Sequence, residues 1–188
     1  AFTFSFPVAQ SAVNAGVLLN WTKGFTAAGV AGQNVVALLS DALRRKRVEE
    51  VSVTALVNDT VGTLATKSYT DPSCDMGVIL GTGTNACYPE KTGRLAKGLF
   101  PLPRQEMILN LEWGNFDKLD TNACDQALDR MTLNPGCQRM EKMVSGMYIG
   151  ELVRLILLDM TDRGILLEEK HRSVLARKHS VSPEQMSW

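Results

Sequence analysis

The stretch Val51-Ser52-Val53-Thr54-Ala55-Leu56-Val57 constrains the fold more than any other part of the sequence. It is rich in β-branched residues and almost wholly apolar, and it stops at Asn58-Asp59. A strand that is apolar on both faces is covered on both, which is the habit of strands in layered α/β structures. Thr60 to Thr66 then reads as the start of a helix, so Asp59 falls where a strand hands over to a helix.

Other segments extend the pattern. Residues 2–8 alternate aromatic and small side chains up to Pro7 and read as a short strand. Val35, Val36, Leu38, Leu39, Ala42 and Leu43 recur at helical spacing, which predicts an amphipathic helix over residues 33–46. It ends in Arg44-Arg45-Lys46-Arg47, a run that suits a nuclear signal or a phosphate patch, but more simply complements the negative end of the helix dipole. Met76–Leu80 reads as a strand running into Gly81-Thr82-Gly83-Thr84-Asn85, followed by a second strand at Ala86-Cys87-Tyr88. Residues 91–105, with Gly93, Gly98, Pro101 and Pro103, read as a surface loop, and Met107–Leu111 as a strand ending at Glu112-Trp113-Gly114. The last third is helical. A short helix is expected over Asn122–Leu128. A long one opens near Pro135, carries an apolar face from Met140 to Leu157, and closes at Gly164. Strands in the middle and helices at the end put the chain in the α/β or α+β class.

Composition narrows the function classes. Twenty Lys+Arg balance twenty Asp+Glu, which leaves no electrostatic footprint for nucleic acid. The longest apolar run, Ile149 to Met160, is broken by Glu151, Arg154 and Asp159 and does not suit a membrane span. Cysteines at 74, 87, 124 and 137 contain no Cys-x-x-Cys pair, and the two histidines lie in the charged C-terminal stretch, so neither a zinc site nor a disulfide framework is expected. Cys74 and Cys87 flank one strand and could approach each other. The chain opens at Ala1 with a strand-like segment and no basic leader, which points to a piece of a longer protein.

Asn58-Asp59, Asn85 and Glu112 all fall at strand ends, where open α/β sheets collect ligands. Amides and carboxylates together suit a polyhydroxylated ligand, because each hydroxyl can donate to one and accept from the other. Each residue also has a plainer reading: Asp59 as a helix N-cap, Glu112 as a solvated strand terminus. Gly81-Thr82-Gly83-Thr84-Asn85-Ala86 matches the dinucleotide pattern G-x-G-x-x-A, but no helix and no later acidic residue follow at the required spacing. A loop whose backbone N–H groups and Thr82 hydroxyl cradle a phosphate fits better.

Several motifs in order resemble the eukaryotic hexokinase family, glucokinase included. They are Phe2–Pro7; Leu19-Asn20-Trp21-Thr22-Lys23-Gly24-Phe25; Val57-Asn58-Asp59-Thr60-Val61-Gly62-Thr63; Gly81–Tyr88; Glu112-Trp113-Gly114; and Asn134-Pro135-Gly136 leading to Glu141-Lys142-Met143 and Gly146–Glu151. The resemblance runs from residue 1 to about residue 167 and departs from the family at residues 91–105. It implies a ribonuclease-H-like, actin-related sugar kinase fold, here incomplete, with residues 1–58 as part of the small domain and 59–188 as part of the large one.

What the resemblance implies for function is ATP-dependent phosphorylation of a hexose, glucose above all, at its 6-hydroxyl, the first step of glycolysis, in the cytoplasm. Asp59 would be the catalytic base and Lys23 would offset charge on the phosphoryl group. Ser5, Phe6 (through its backbone), Thr22, Lys23, Asn58, Asp59, Gly83, Asn85, Glu112 and Glu141 would line the sugar site, and Gly81 and Thr82 would approach the transferred phosphate. The partners would be the hexose and Mg2+-ATP. Most ATP contacts would lie outside the chain, since the family's first phosphate loop would precede residue 1 and its second loop and adenosine site would follow residue 188. A non-catalytic hexose-binding or regulatory fragment is the alternative.

Overall fold

A computed structural model describes residues 1–95 and 105–186. The chain forms two compact units, one of residues 1–79 and 86–111, the other of residues 80–85 and 112–188. The partition expected at 58/59 concerns the domains of the family; the compact units of this chain divide elsewhere.

In the first unit, strand β1 (Phe2–Thr3) runs parallel to β4 (Leu56–Val57), and β2 (Val8–Ala12) pairs antiparallel with β3 (Ala15–Leu18). Helix α1 (Val35–Arg45) starts at Asn34, whose side chain accepts the N–H groups of Val36 and Ala37. That cap satisfies two donors that the first helical turn leaves orphaned. Leu18, Val35, Val36 and Leu56 form the buried centre, and Phe2, Phe4, Phe6 and Trp21 pack against it. Helix α2 (Asp59–Thr70) follows, then a three-stranded sheet in the order β5 (Gly77–Leu80), β6 (Thr84–Lys91), β7 (Glu106–Asn110). Strands β6 and β7 are antiparallel, with Cys87 opposite Asn110. Gly77 permits the helix to sit close: a Cβ there would lie 2.5 Å from the Thr60 carbonyl oxygen and 3.1 Å from the Cys87 sulfur.

The second unit is helical. Helix α3 (Ala123–Met131) opens with a reciprocal capping box between Asn122 and Asp125. Helices α4 (Arg139–Val144), α5 (Gly146–Asp162) and α6 (Arg172–Leu175) follow. Leu128, Tyr148 and Leu152 are its buried core. Glu151 and Arg154, 5% and 4% exposed at their side chains, form an ion pair at 2.7 Å inside α5. The same pair holds the following segment: Arg154 donates to the Leu175 carbonyl, and the His179 N–H donates to Glu151 Oε2. Lys142, also buried, donates to Asp129 Oδ1 and to the Asn134 carbonyl. Among the described residues no helix is long and apolar enough to cross a membrane.

The structure corrects four expectations. The strand read over residues 2–8 is regular only at Phe2–Thr3, and β2 starts at Val8, because Pro7 has no N–H for a ladder and Phe4 and Phe6 turn into an aromatic cluster. The strand read over 51–57, buried on both faces, is regular only at Leu56–Val57, and Val51 is 55% exposed. β-Branched composition marks extended backbone, but a ladder needs a partner, and β4 has only the two-residue β1 beside it among the described residues. The helix expected to open at Pro135 starts at Arg139, because Gly136 and Gln138 take left-handed conformations. That helix also breaks at Ser145, which ends α4 and precedes the first residue of α5 with no side-chain cap bond. Strand β6 runs on to Lys91, and most of the loop expected at 91–105 lies outside the described residues.

Candidate functional site

The expected site residues fall into two sets, one on each unit. The first unit carries Ser5, Phe6, Thr22, Lys23, Asn58 and Asp59; the second carries Gly81, Thr82, Gly83, Asn85, Glu112 and Glu141.

Asn58, not Asp59, caps α2. Its Oδ1 accepts the Thr60 N–H at 3.0 Å and the Thr60 hydroxyl at 2.7 Å. The N-cap reading of Asp59 is thereby corrected: it is the first helical residue, with its carboxylate one residue beyond the cap. A carboxylate there is favoured by the positive end of the helix dipole. Its Oδ1 lies 3.1 Å from the Thr60 amide nitrogen. Thr60 is fully buried, and its hydroxyl also lies 3.1 Å from the Asn110 side chain, which ties the start of α2 to β7.

Thr22 and Lys23 belong to a tight turn closed by the Phe25 N–H on the Thr22 carbonyl at 3.1 Å. Lys23 and Gly24 both have positive φ, 56° and 77°, the pattern of a type I′ turn. Lys23 Nζ donates to the Ser5 carbonyl at 2.7 Å, so the two residues expected at the sugar site are joined directly.

In the second unit, two consecutive residues at the start of β6 hold two carboxylates. The Thr84 N–H donates to Glu141 Oε2 at 3.0 Å, and Asn85 Nδ2 donates to Glu112 Oε1 at 2.9 Å. Glu141 is 4% exposed in the first turn of α4. Its charge, together with burial as the larger cause, pushes the Tyr148 phenol up. Glu112 is half-buried and has a left-handed backbone, φ 51°, which turns the chain sharply at the end of β7. The plain reading of Glu112 as a merely solvated terminus does not survive, since its carboxylate is engaged.

Residues outside the expected site set complete this cluster. The Trp113 indole N–H donates to Thr84 Oγ1 at 2.9 Å, and the Gln138 N–H donates to Asn115 Oδ1 at 3.1 Å. Gly114 is tightly enclosed: a Cβ would lie 2.9 Å from Gln138 Oε1 and 3.2 Å from Glu141 Cβ. The loop at Gly81–Thr82 is joined to the start of α5, its carbonyls accepting the N–H groups of Gly146 and Met147. The Gly81 N–H is itself donated to Gly83 within the turn, so the loop would meet a phosphate through other groups, the exposed Thr82 among them.

The chemistry of these two sets is matched by kinship. Residues 75–188 and residues 1–69 each match a family profile described as hexokinase. The chain is 50% identical over 182 residues to hexokinase-3 of Mus musculus, covering 94% of this chain and 20% of that protein. It is 47% identical over 173 residues to hexokinase-2 of Homo sapiens, covering 88% of this chain and 18% of that protein. Among solved structures it superposes on the hexokinase of Schistosoma mansoni complexed with glucose, with a TM-score of 0.83, 42% identity, and coverage of 96% of this chain and 41% of that one. It therefore spans about a fifth of the length of these curated relatives. Two adjoining profile matches and close relatives along nearly its whole length leave one assignment: the chain belongs to the hexokinase family.

Proposed function

We propose that the protein containing this chain transfers the γ-phosphoryl group of Mg-ATP to the 6-hydroxyl of a hexose, with glucose as the preferred substrate. The observation that carries this reading is the pairing of Glu112 and Glu141 with consecutive residues, Asn85 and Thr84. Two preorganised carboxylates beside an amide are acceptors and donors suited to a polyhydroxylated ligand. A relative with 42% identity was solved in complex with glucose.

In this reading Asn58, Asn85, Glu112 and Glu141 hold the hexose hydroxyls, with Gly83 beside them, and Ser5, Phe6, Thr22 and Lys23 line the sugar site. Asp59 accepts the proton of the 6-hydroxyl as that oxygen attacks phosphorus, and the Lys23 ammonium offsets charge on the phosphoryl group. Thr82 and Gly81 approach that phosphoryl group. Among the described residues no cluster of acidic, histidine or cysteine side chains could hold a metal ion. In this reading Mg2+ enters with the nucleotide, and no metal ligand is assigned from this chain.

Cytoplasmic location and entry of the product into glycolysis belong to the same proposal. So does the expectation that the 188-residue stretch alone does not turn over, because the resemblance assigns most ATP contacts to segments outside it. The test is an ATP-dependent phosphorylation assay of the full-length protein with glucose, mannose and fructose. Formation of hexose 6-phosphate in step with ADP supports the reading. Sugar binding without ADP formation would favour a hexose-binding regulatory protein instead.

A further inference from the structure

We infer that the aromatic ring of Phe6 is a positioning residue that holds the Lys23 ammonium in place through a cation–π contact. This rests on the reading of Lys23 as the group that offsets phosphoryl charge, and it goes beyond the backbone role expected for Phe6.

Lys23 Nζ lies 5.1 Å from the centroid of the Phe6 ring, inside the range of about 6 Å over which a ring face attracts an ammonium. The same nitrogen donates to the Ser5 carbonyl at 2.7 Å. One residue pair, Ser5-Phe6, thus grips the ammonium with an oxygen and a ring face. A lysine stem has many rotamers, and an ammonium left in water would sample most of them. Two contacts from adjacent residues select one.

The ring is itself fixed, and by the immediate neighbours of Lys23. Phe6 stands edge-on to Trp21 at 4.8 Å and 90°, and meets Phe25 at 5.0 Å. Trp21 and Phe25 are stacked at 5.7 Å, and the Trp21 indole N–H donates to the Ala27 carbonyl at 2.8 Å. The left-handed turn at Lys23-Gly24 brings Phe25 back to the ring that Trp21 already touches. Trp21 and Phe25 therefore clamp Phe6, and Phe6 faces the residue between them. An apolar contact would explain the clamp, because Phe6 also packs against the buried centre of its unit. It would not explain why the ring lies against a charge. An ammonium is attracted to the electron-rich face of an aromatic ring, and an aliphatic side chain of equal size offers nothing comparable.

Fluorinated phenylalanines separate the two, because each fluorine weakens the ring's electron density with little change in size. In the full-length protein, Phe6 is replaced by its mono-, di- and trifluoro analogues, and steady-state kinetics are measured at saturating ATP. The expected result is a stepwise fall in kcat, about three- to tenfold across the series, with sugar KM within about twofold and an unchanged melting temperature. In a Lys23→Met background the same series should be flat, since the ring then has no charge to hold. A flat series in the unsubstituted background, a melting temperature that falls in step with kcat, or a slope that persists without Lys23 would overturn the inference. If Lys23→Met alone left kcat unchanged, the reading of Lys23 itself would fail and this inference with it. A flat series beside an impaired Lys23→Met variant would remove only the role of Phe6.

Discussion

Asn85 donates its side-chain N–H to Glu112 Oε1 at 2.9 Å, joining the start of one strand to the residue just past the end of another. Glu112 reaches that position only through a left-handed backbone, φ 51°. A non-glycine residue there is uncommon, and at a ligand site such strain is often part of the arrangement. Asn85→Ala should remove the donor that orients the Glu112 carboxylate. Sugar KM should rise by about an order of magnitude, with kcat affected less, as sugar titrations at fixed ATP would measure.

Asp59→Ala in the full-length protein should lose most turnover while sugar binding persists. A general base contributes on the order of 10²–10⁴-fold, and binding groups elsewhere remain. The check pairs kcat with a direct measurement of sugar affinity by tryptophan fluorescence or calorimetry. A fall in kcat of less than tenfold would reduce Asp59 to a first-turn carboxylate serving the helix dipole.

Gly114→Ala should press directly on Glu141, one of the two glutamates proposed to bind the sugar. The added Cβ would meet Gln138 Oε1 at 2.9 Å, Glu141 Cβ at 3.2 Å and the Thr84 carbonyl at 3.2 Å. Overpacking of this kind costs about 1–3 kcal/mol. The expected outcome is a lower melting temperature together with a raised sugar KM. A variant with wild-type values for both would show that the turn at 113–115 gives way freely.

The Glu151–Arg154 pair gives the second unit a defined response to acid. Burial alone would raise the Glu151 pKa, but the hydrogen bonds from Arg154 and the His179 N–H, with the charge of Arg154, hold it below the ordinary carboxylate value. Stability from a lowered carboxylate is fully present above its unfolded value, about 4.3, and is lost as pH falls through the lower folded value. Melting temperature should thus fall on acidification below about pH 4. Glu151→Gln should reduce that dependence, and Asp129, which burial would raise but Lys142 and the Gly136 N–H also hold below its ordinary value, should keep the remainder. The substitution should also lower stability at neutral pH by roughly 3–5 kcal/mol, because Arg154 is left buried without its partner.

Local signals in the sequence account for part of this. Asn34 before the Val35-Val36 pattern marks the start of α1, and Asn122 with Asp125 three residues on marks α3; both are caps with a chemical signature. The break between α4 and α5 at Ser145 has no such side-chain cap, and a continuous apolar face from Met140 to Leu157 obscures it. Nothing local announces that Glu112 and Gln138 turn left-handed, and each is bonded to a residue distant in the chain, Glu112 to Asn85 and Gln138 to Asn115. The bonds made by Trp113, Asn115 and Gln138 are not legible locally either, because they join residues distant in the chain. The strand read at 51–57 shows the converse, where local preference is strong and the partner strand is too short to complete it.

The measurement that bears most directly on the account is the sugar titration of Glu112→Gln and Glu141→Gln in the full-length protein at saturating ATP. Each loses a charge-assisted acceptor, which should cost roughly 1.5–3 kcal/mol of sugar binding. Sugar KM should rise about ten- to a hundredfold in both. The KM for ATP should stay nearly unchanged, because neither residue faces the nucleotide in this reading. An unchanged sugar KM in both variants would contradict the account: the two carboxylates held by Asn85 and Thr84 would then be structural, and the hexose would bind elsewhere.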